Sequence, residues 1–355
     1  MPKPQDILEE LKRIKYPGLS RDIVSFGMIK DIEIGSSGVN VVLAPTTARE
    51  DVVAQIRAQV TAVVGSMDGV ANVEVSVTAA EAQRRAPQAG PAEIPGVRHI
   101  VAVASGKGGV GKSTVAANLA LALARAGHRI GLLDCDIYGP SIPIMLGLTG
   151  QPRSTEDKRI LPHEKFGMKI LSFGLFVEDG TPIIWRGPML TKALTQFFRD
   201  TVWGDLDYLI LDLPPGTGDV QLTITQQVPL AGGVIVTTPA DVALLDVRRG
   251  VKMFQQVKAP ILGVIENMSF HECSGCGHRT ELFGHGGGER FAHEVGIPFL
   301  GALPLVRAIR EAGDGGTPIV AADPDHPQSH AFVAIAARVV AEIDSRPQVG
   351  VPLIH

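Results

Sequence analysis

The run GKGGVGKST at residues 106–114 constrains the fold of this chain more than any other feature. Four of its residues fit the pattern G-x-x-x-x-G-K-[ST] without a gap, namely Gly106, Gly111, Lys112 and Ser113. An apolar stretch precedes the run, and an alanine-rich stretch from Thr114 to Ala126 follows it. In such a strand–loop–helix unit, successive backbone N–H groups converge on phosphate oxygens at the N-terminus of the helix. The sequence therefore predicts a phosphate-binding loop in an α/β fold.

From Arg98 onward, short apolar runs alternate with helical patterns. The six runs are His99–Ala104, Ile130–Asp134, Tyr208–Asp212, Gly233–Thr237, Ile261–Ile265 and Phe299–Ala302. Continuous apolar runs are typical of parallel strands that are buried on both faces. We therefore expect residues 98–355 to form a doubly wound, mostly parallel sheet with its ligand at the carboxyl ends of the strands.

The first 80 residues follow a different pattern, which predicts a small α+β domain. Leu8, Leu11 and Ile14 lie at helical spacing. The expected elements that follow are a strand at Asp22–Ile34, a strand at Val39–Leu43, a helix at Ala48–Val64 and a strand at Val70–Val77. Residues 81–97 contain three prolines and no apolar period, which predicts a linker between the two domains.

Charge and hydropathy argue against several classes of partner. A formal net charge of -4 gives no broad electrostatic attraction to nucleic acid or to an anionic membrane. No run approaches the roughly 20 apolar residues of a membrane span. The first thirty residues lack the apolar core of a signal peptide. We therefore expect a cytoplasmic protein with neither nucleic-acid nor membrane partners.

Acidic residues follow two of the predicted strands. Asp136 lies two residues beyond Asp134, and Asp212 ends the run YLILD. Carboxylates at these strand ends face the nucleotide crevice, where they suit Mg²⁺ binding or orientation of the attacking water. We expect Lys112 to reach the β- and γ-phosphates, and Ser113 and Asp212 to hold Mg²⁺. Asp134 fits better as a cap on the turn that follows it.

Cys273 and Cys276 form a CxxC pair in a polar loop after the predicted strand Ile261–Ile265. The chain has only three cysteines, so a disulfide framework is implausible. Two thiolates make half of a metal site, and a dimer could supply the other half across its two-fold axis. From these residues alone, structural zinc and an iron–sulfur cluster are equally good hypotheses. A Cys₂His₂ centre with His271 and His278 and a thioredoxin-like redox pair are further alternatives.

The loop contains a second lysine, Lys107, so that GKGGVGKST resembles the deviant Walker A signature of the MinD/ParA/nitrogenase iron protein superclass. The resemblance implies that two subunits sandwich ATP and that Lys107 acts on the partner's nucleotide. It also implies that Asp136 is the hydrolytic switch residue and that Asn267, in VIENMS, contacts adenine. From its residue type alone, Asn267 could equally cap a turn. The residues then expected to bind ATP are Gly106, Gly108, Gly109, Val110, Gly111, Lys112, Ser113, Thr114, Asp212 and Asn267.

ENMS followed by CxxC in a chain of this type resembles the Mrp/ApbC family of iron–sulfur carrier ATPases. Further matches are DCDIYGPSIP, WRGPM, DLPPGTGD and IREAGDGG, and the first 80 residues resemble the MIP18-type (DUF59) domain. The resemblance implies a homodimeric ATPase that holds a [4Fe–4S] cluster on Cys273 and Cys276. Its implied partners are apo-proteins that accept the cluster and cluster assembly factors. Some relatives carry a cysteine where this chain has PTTARED, so partner docking is the expected role of the first domain. Arg186, in WRGPM, has no assigned role.

Functions of other classes remain as alternatives. One is a MinD/ParA-like positioning or scaffold ATPase with structural zinc at the CxxC pair. An electron donor like the nitrogenase iron protein is another, although its cluster cysteines lie far apart in sequence. A MinD-like membrane anchor would need a basic amphipathic C-terminal helix. The last helical pattern instead has little positive charge and an apolar stripe, which predicts a docked core helix with Phe332, Ile335, Ala336, Val339, Val340 and Ile343 on one face.

Overall fold

The computed structural model describes residues 2–17, 22–25, 27–35, 38–44, 50–70, 72–77, 92–176, 187–273 and 275–346. The chain divides into two compact units, Met1–Ala89 and Gly90–His355. Residues 78–91 lie outside the described part, and Val97 is the first residue of a strand. The linker at residues 81–97 stays a prediction. Arg186 and residues 45–49 of the PTTARED segment also lie outside it.

The first unit has the predicted order of elements, α-β-β-α-β. These elements are α1 (Pro4–Leu11), β1 (Ile29–Gly35), β2 (Gly38–Leu43), α2 (Glu50–Gly65) and β3 (Val73–Val77). In the three-stranded sheet, β2 pairs antiparallel with β1 and parallel with β3. The apolar faces of the two helices pack against this sheet around Ile7, Ile56 and Val41.

The strand predicted from Asp22 is too long at its start, because β1 begins at Ile29. The Asp22 carboxylate accepts a hydrogen bond of 2.7 Å from the backbone N–H of Ser25 and so closes a turn. Aspartate favours such side-chain-to-backbone turns over extended strand. The buried residues Ile23 and Met28 produced the apolar pattern that the prediction took for a strand.

The second unit is built on a large sheet with helices between its strands. Its strands are β4 (Val97–Ala104), β5 (Ile130–Asp134), β6 (Arg153–Ser154), β7 (Ile160–Leu161), β8 (His163–Lys165), β9 (Met168–Ser172), β10 (Leu206–Asp212), β11 (Gly232–Thr237), β12 (Ile261–Asn267), β13 (His271–Glu272), β14 (Arg279–Thr280) and β15 (Phe299–Leu303). Its helices are α3 (Lys112–Arg125), α4 (Ile142–Met145), α5 (Gly187–Arg199), α6 (Asp219–Gln227), α7 (Asp241–Gln256), α8 (Gly287–Val295), α9 (Arg307–Asp314), α10 (Ile319–Ala322) and α11 (Pro327–Asp344), with a 3₁₀ turn at Phe173–Leu175.

Within the described residues, eight strands form one sheet in the order β15-β12-β11-β4-β10-β5-β9-β8. All neighbours are parallel except β8 and β9, which are antiparallel. All six apolar runs predicted as strands lie in this sheet, and the predicted fold class is confirmed. Because β4 lies in the middle, its carboxyl end opens into the crevice at which doubly wound sheets bind ligands.

Both faces of the sheet are buried, which explains the continuous apolar runs. Along β4, Val101 and Val103 face one core together with the apolar side of α3 and α11. Ile100 and Ala102 face a second core, to which Phe197 of α5 and other apolar residues of α5 to α8 contribute. Successive side chains of a strand point to opposite faces, so a strand between two helix layers must be apolar at every position.

The last helix, α11, packs into the first of these cores as predicted. Its buried residues are Phe332, Ile335, Ala336, Val339 and Ile343, and Val340 packs partly buried against them. Among the described residues, no helix combines the length and the apolar character needed to cross a membrane.

An ion pair at the opposite end of the sheet from the phosphate loop makes stability depend on pH. The Arg129 backbone N–H and guanidinium donate to Asp207 at 2.9 and 3.0 Å, and these hydrogen bonds hold the pKa of Asp207 well below its usual range. A lowered pKa stabilises the fold above the unfolded value of about 4, and this contribution is lost as pH falls through the folded value. We expect Asp207→Asn to lower the unfolding free energy by about 1 kcal/mol at pH 7.

The Asp207→Asn effect should shrink as the pH falls below about 4, as measured by urea unfolding at a series of pH values. Asp205→Asn is the matched control, because Asp205 is exposed and lies 3.8 Å from Arg129. An equal loss of stability in both variants, or a loss that does not change with pH, would contradict the assignment.

Candidate functional site

The phosphate loop connects the carboxyl end of β4 to the first turn of α3. Gly111 begins the helix at a φ of +80°, a conformation that glycine adopts without strain. A Cβ at Gly111 would lie 2.3 Å from the Asn267 amide nitrogen, and a Cβ at Gly106 would lie 2.3 Å from the Asp246 side chain. Glycine at these two positions therefore allows the loop to pack closely between β12 and α7.

Lys112 is buried at the start of α3 and points back into the site. Its ammonium donates to Oδ1 of Asp212 at the end of β10, and it lies 3.3 Å from the Ser113 hydroxyl. The side chains of Lys112 and Asp212 are 6% and 0% exposed, so this ion pair is buried. The structure thus brings together the three residues that the sequence predicted for the phosphates and Mg²⁺.

The single ammonium group of Lys112 and the available hydrogen bonds do not fully balance the buried carboxyl groups next to it. Oδ2 of Asp212 is buried without a hydrogen-bond partner in the described part of the chain. Burial raises the pKa of Asp212, and burial together with the charge of Asp212 raises the pKa of Asp134 to about 7. One ammonium therefore faces two carboxyl groups in a low-dielectric setting. A hard divalent cation would offset this imbalance, so Ser113 and Asp212 fit a Mg²⁺ site.

The two aspartates after β5 have different surroundings. The Asp134 carboxylate accepts hydrogen bonds from Asp136 N–H at 3.0 Å, Ile142 N–H at 3.3 Å and the Ser172 hydroxyl at 2.9 Å. It thus caps the turn and the start of α4. Asp136 faces the nucleotide cavity and accepts one bond of 3.2 Å from Gly139 N–H, which leaves oxygen lone pairs for a ligand.

The loop after β10 touches the phosphate loop from the other side. The Gly216 N–H donates to the Ser105 carbonyl at 3.1 Å, and Pro215 lines the cavity. The segment Pro214–Gly218, part of the DLPPGTGD match, therefore lies against the base of the phosphate loop.

Asn267 ends β12 and binds the phosphate loop directly. Its amide nitrogen donates to the Val110 carbonyl at 2.8 Å, and both residues are buried. The side chain also lines the nucleotide cavity. Asn267 therefore lies at the site, although its amide group contacts the loop that would hold the phosphates.

These residues surround a cavity of about 610 Å³, which is within the usual size range of small-molecule sites. The residues that line it include Lys107 to Thr114, Asp136 and Asn267, while Gly106 and Asp212 lie behind the lining. Lys107 is half-buried, and its ammonium has no salt bridge within the described ranges. The opposite wall, formed by residues 304–314, was not predicted. Its place in the sequence could have indicated this role, since the segment follows the last strand at the carboxyl edge of the sheet, where ligands bind.

The CxxC pair lies at the tip of a short hairpin formed by β13 and β14. The Cys273 N–H donates to the His278 carbonyl at 2.9 Å, and the Gly277 N–H donates to the Cys273 carbonyl at 2.8 Å. Backbone N–H groups of Gly275 and Cys276 lower the pKa of the Cys273 thiol, which favours the thiolate that binds metal. Cys276 is exposed and Cys273 is half-buried, whereas Cys135 is buried.

Within one chain, the described residues bring no group of three or more His, Cys, Asp or Glu side chains together in a geometry that could hold a metal ion. His278 is exposed, and the ring of His271 lies 3.0 Å from the Leu305 carbonyl. Among the described residues, the hairpin therefore presents two thiols from one chain, Cys273 and Cys276.

The base of the hairpin is bonded to the wall of the nucleotide cavity. The Ser269 N–H donates to the Leu303 carbonyl at 2.9 Å, and the Leu305 N–H donates to the Phe270 carbonyl at 2.7 Å. Leu305 lines the cavity, and Cys273 lies only six residues beyond Asn267. One short segment thus connects the nucleotide cavity to the cysteines.

Comparison with known proteins agrees with both parts of the chain. The family described as NUBPL iron-transfer P-loop NTPase matches residues 96–340, and the iron–sulfur cluster assembly protein family matches residues 4–77. An iron–sulfur cluster carrier protein of Pseudomonas fragi is 52% identical over 269 residues, which are 74% of this chain and 92% of that protein. One of Aquifex aeolicus is 44% identical over 96% of this chain and 99% of its own length.

Solved structures with a similar fold include a nucleotide-binding protein and a MinD ATPase. A nucleotide-binding protein of Archaeoglobus fulgidus, in complex with ADP, is 35% identical over 67% of this chain and 93% of its own, with a TM-score of 0.58. The cell division ATPase MinD of Pyrococcus furiosus, at 21% identity over 68% of this chain and 98% of its own, has a TM-score of 0.52 and supports the fold alone. From the two family matches and these relatives, the chain belongs to the iron–sulfur cluster carrier proteins, a family of P-loop NTPases.

Proposed function

We propose that this protein binds and hydrolyses ATP as a homodimer and carries a [4Fe–4S] cluster between its two subunits for transfer to apo-proteins. The observation that carries the proposal is the short connection between the two sites. Asn267 bonds to the phosphate loop at Val110, and the hairpin with Cys273 and Cys276 begins four residues later. A change at the phosphate loop can therefore reach the cysteines through one hydrogen bond and a short stretch of backbone.

In the nucleotide site, each residue has a distinct role. Backbone N–H groups from Gly108 to Thr114 hold the phosphate oxygens at the N-terminus of α3. Lys112 would leave Asp212 to bind the β- and γ-phosphates. Asp212 and Ser113 would hold Mg²⁺, which would supply positive charge next to the phosphates. Asp136 orients the attacking water or accepts its proton. The ADP complex of the Archaeoglobus relative supports nucleotide binding in this fold.

The cluster needs four thiolate ligands, and one hairpin offers two. A second copy of the chain, related by a two-fold axis, would supply Cys273 and Cys276 of its own hairpin. A cluster held by short hairpins at an exposed position can be given up to an acceptor. The cluster is thus cargo, and the change of nucleotide state would alter the spacing of the four sulfur atoms.

The direct test is cluster transfer. The protein is reconstituted anaerobically with iron and sulfide, and its mass is measured by light scattering. It is then mixed with an apo-enzyme that needs a [4Fe–4S] cluster, with and without ATP and Mg²⁺. Recovery of the enzyme's activity faster than from free iron and sulfide would support the carrier function. A reconstituted protein that holds its cluster but never activates the acceptor would contradict it.

Lys107 is expected to act on the nucleotide of the partner subunit. Its replacement by alanine should leave ATP binding intact and lower the hydrolysis rate by about a thousandfold, as for other charge-stabilising cations supplied in trans. A mixture of Lys107→Ala and Lys112→Ala proteins should regain activity, because a Lys112→Ala subunit still offers its Lys107 to the other subunit. Random pairing gives one working site in half of the dimers, hence about a quarter of the wild-type rate. Phosphate release by each variant and by the mixture measures this; no recovery would place Lys107 outside the partner's site.

A further inference from the structure

Glu266 is a buried acidic residue that none of the roles above uses. It lies on β12 directly before Asn267 and is 1% exposed. Its Oε1 accepts a hydrogen bond of 2.6 Å from the Ser269 hydroxyl, and its Oε2 accepts one of 2.6 Å from the Gly288 N–H. Hydrogen bonds to a carboxylate are short and strong, and each compensates part of the cost of burying the group.

The two donors lie at opposite ends of the segment that holds the cysteines. Ser269 precedes the hairpin, and Gly288 is in the first turn of α8, which follows it. The chain thus leaves β12, forms the hairpin with Cys273 and Cys276, and returns to the same carboxyl group. The two carboxyl oxygens of Glu266 therefore hold together the two ends of the segment 270–287, which contains both cysteines.

Adjacent side chains of a strand point to opposite faces, which explains the geometry of Glu266 and its neighbour. Glu266 holds the cysteine segment, while Asn267 reaches to the Val110 carbonyl in the phosphate loop. Any shift of the phosphate loop that moves Asn267 also moves the backbone that carries Glu266. The two ends of the cysteine segment would then move together.

We propose that Glu266 is a positioning residue that transmits the nucleotide state to the cysteine hairpin, through Asn267 on one side and Ser269 and Gly288 on the other. This inference rests on the proposed function, in which nucleotide and cluster act on one another. It assigns the coupling to a carboxyl group that touches neither ligand.

The experiment measures thiol reactivity in the metal-free protein. Cys273 and Cys276 are alkylated with iodoacetamide, with and without ATP and Mg²⁺, and the modified peptide is quantified by mass spectrometry. In the wild-type protein, nucleotide should change the alkylation rate at least about fivefold, the lower range for linked sites. In Ser269→Ala and Glu266→Gln, the ratio of the two rates should fall to near one, while ATP affinity by calorimetry stays unchanged.

Ser329→Ala is the matched control. Ser329 is as buried as Ser269, and its hydroxyl donates to the Ile319 and Asp323 carbonyls in the α10–α11 region, away from both sites. Loss of a buried hydroxyl alone should therefore leave the wild-type ratio. If Glu266→Gln does not fold, Ser269→Ala carries the test by itself, since it removes one of the two ties.

The proposal is overturned if the Ser269→Ala and Glu266→Gln proteins keep the wild-type ratio, or if nucleotide does not change the alkylation rate of the wild-type protein at all. Either result leaves cluster binding untouched, because that is decided by iron and sulfide counts on the reconstituted protein. Conversely, a wild-type protein that binds no iron but shows the nucleotide-dependent ratio would retain the coupling and remove the carrier function.

Discussion

Replacement of Lys112 by alanine is expected to reduce ATP hydrolysis by at least about a thousandfold, because Lys112 is the cation proposed to contact the β- and γ-phosphates. The same change leaves the buried carboxyl group of Asp212 without its ammonium partner and removes a positive charge that acts on Asp134. Removing one member of a buried pair typically costs about 3–5 kcal/mol. Lys112→Ala should therefore also lower the melting temperature of the protein. Phosphate release, calorimetric titration with ATP and thermal unfolding measure the three effects.

The loss of stability and the loss of activity can be separated by a second change. In Lys112→Ala/Asp212→Asn, the buried charge at Asp212 is removed together with its partner, so part of the stability should return while hydrolysis stays absent. Lys169→Ala serves as control, because Lys169 lies at the other end of the sheet and donates to the Trp203 carbonyl. A Lys112→Ala protein with near-normal hydrolysis would refute the assignment of the phosphate site.

Replacement of both Cys273 and Cys276 by alanine should abolish cluster binding. The reconstituted wild-type protein should hold about four irons and four sulfides per dimer, and the variant close to none. Nucleotide binding should persist, since neither cysteine lines the nucleotide cavity. Iron, sulfide and zinc analysis after anaerobic reconstitution measures the first effect, and calorimetry with ATP measures the second.

Cys135→Ala is the control for the cysteine pair, because Cys135 is buried beneath the nucleotide site and away from the hairpin. It should hold iron and sulfide as the wild-type protein does. Zinc bound tightly at the pair, with no uptake of iron after zinc removal, would contradict the carrier function. That outcome would instead favour a MinD/ParA-like positioning or scaffold ATPase with structural zinc at the pair.

Much of the second unit could be predicted because its chemistry is local in sequence. The phosphate loop is one unbroken motif, and the six apolar runs mark strands that helices cover on both faces. Strands β8 and β9 escaped prediction, β9 although its residues Met168, Ile170 and Leu171 are buried. The edge strand β8 has the sequence His-Glu-Lys and is covered on fewer sides, so it carries no apolar run.

What escaped prediction in the site depends on contacts between distant segments. The role of Glu266 follows from a bond to Gly288, 22 residues away, and no pattern around Glu266 marks it as buried. The cavity wall at residues 304–314 likewise becomes part of the site only when β15 is placed beside β12. Asp22 shows the opposite case, in which a local turn overrode an apolar pattern.

The length of the short segment between Asn267 and Cys273 sets the separation between the phosphate loop and the cysteines. The backbone of this segment is hydrogen-bonded to Leu303 and Leu305. At one end the Asn267 side-chain amide binds the phosphate loop, and at the other end lies the Cys273 thiol in the hairpin. One inserted residue there would keep every side chain of both sites yet change the register of these bonds. The number of residues in this stretch, as much as their identity, should therefore be restricted, whereas the outer turn of the β6–β7 ribbon can change in length at little cost.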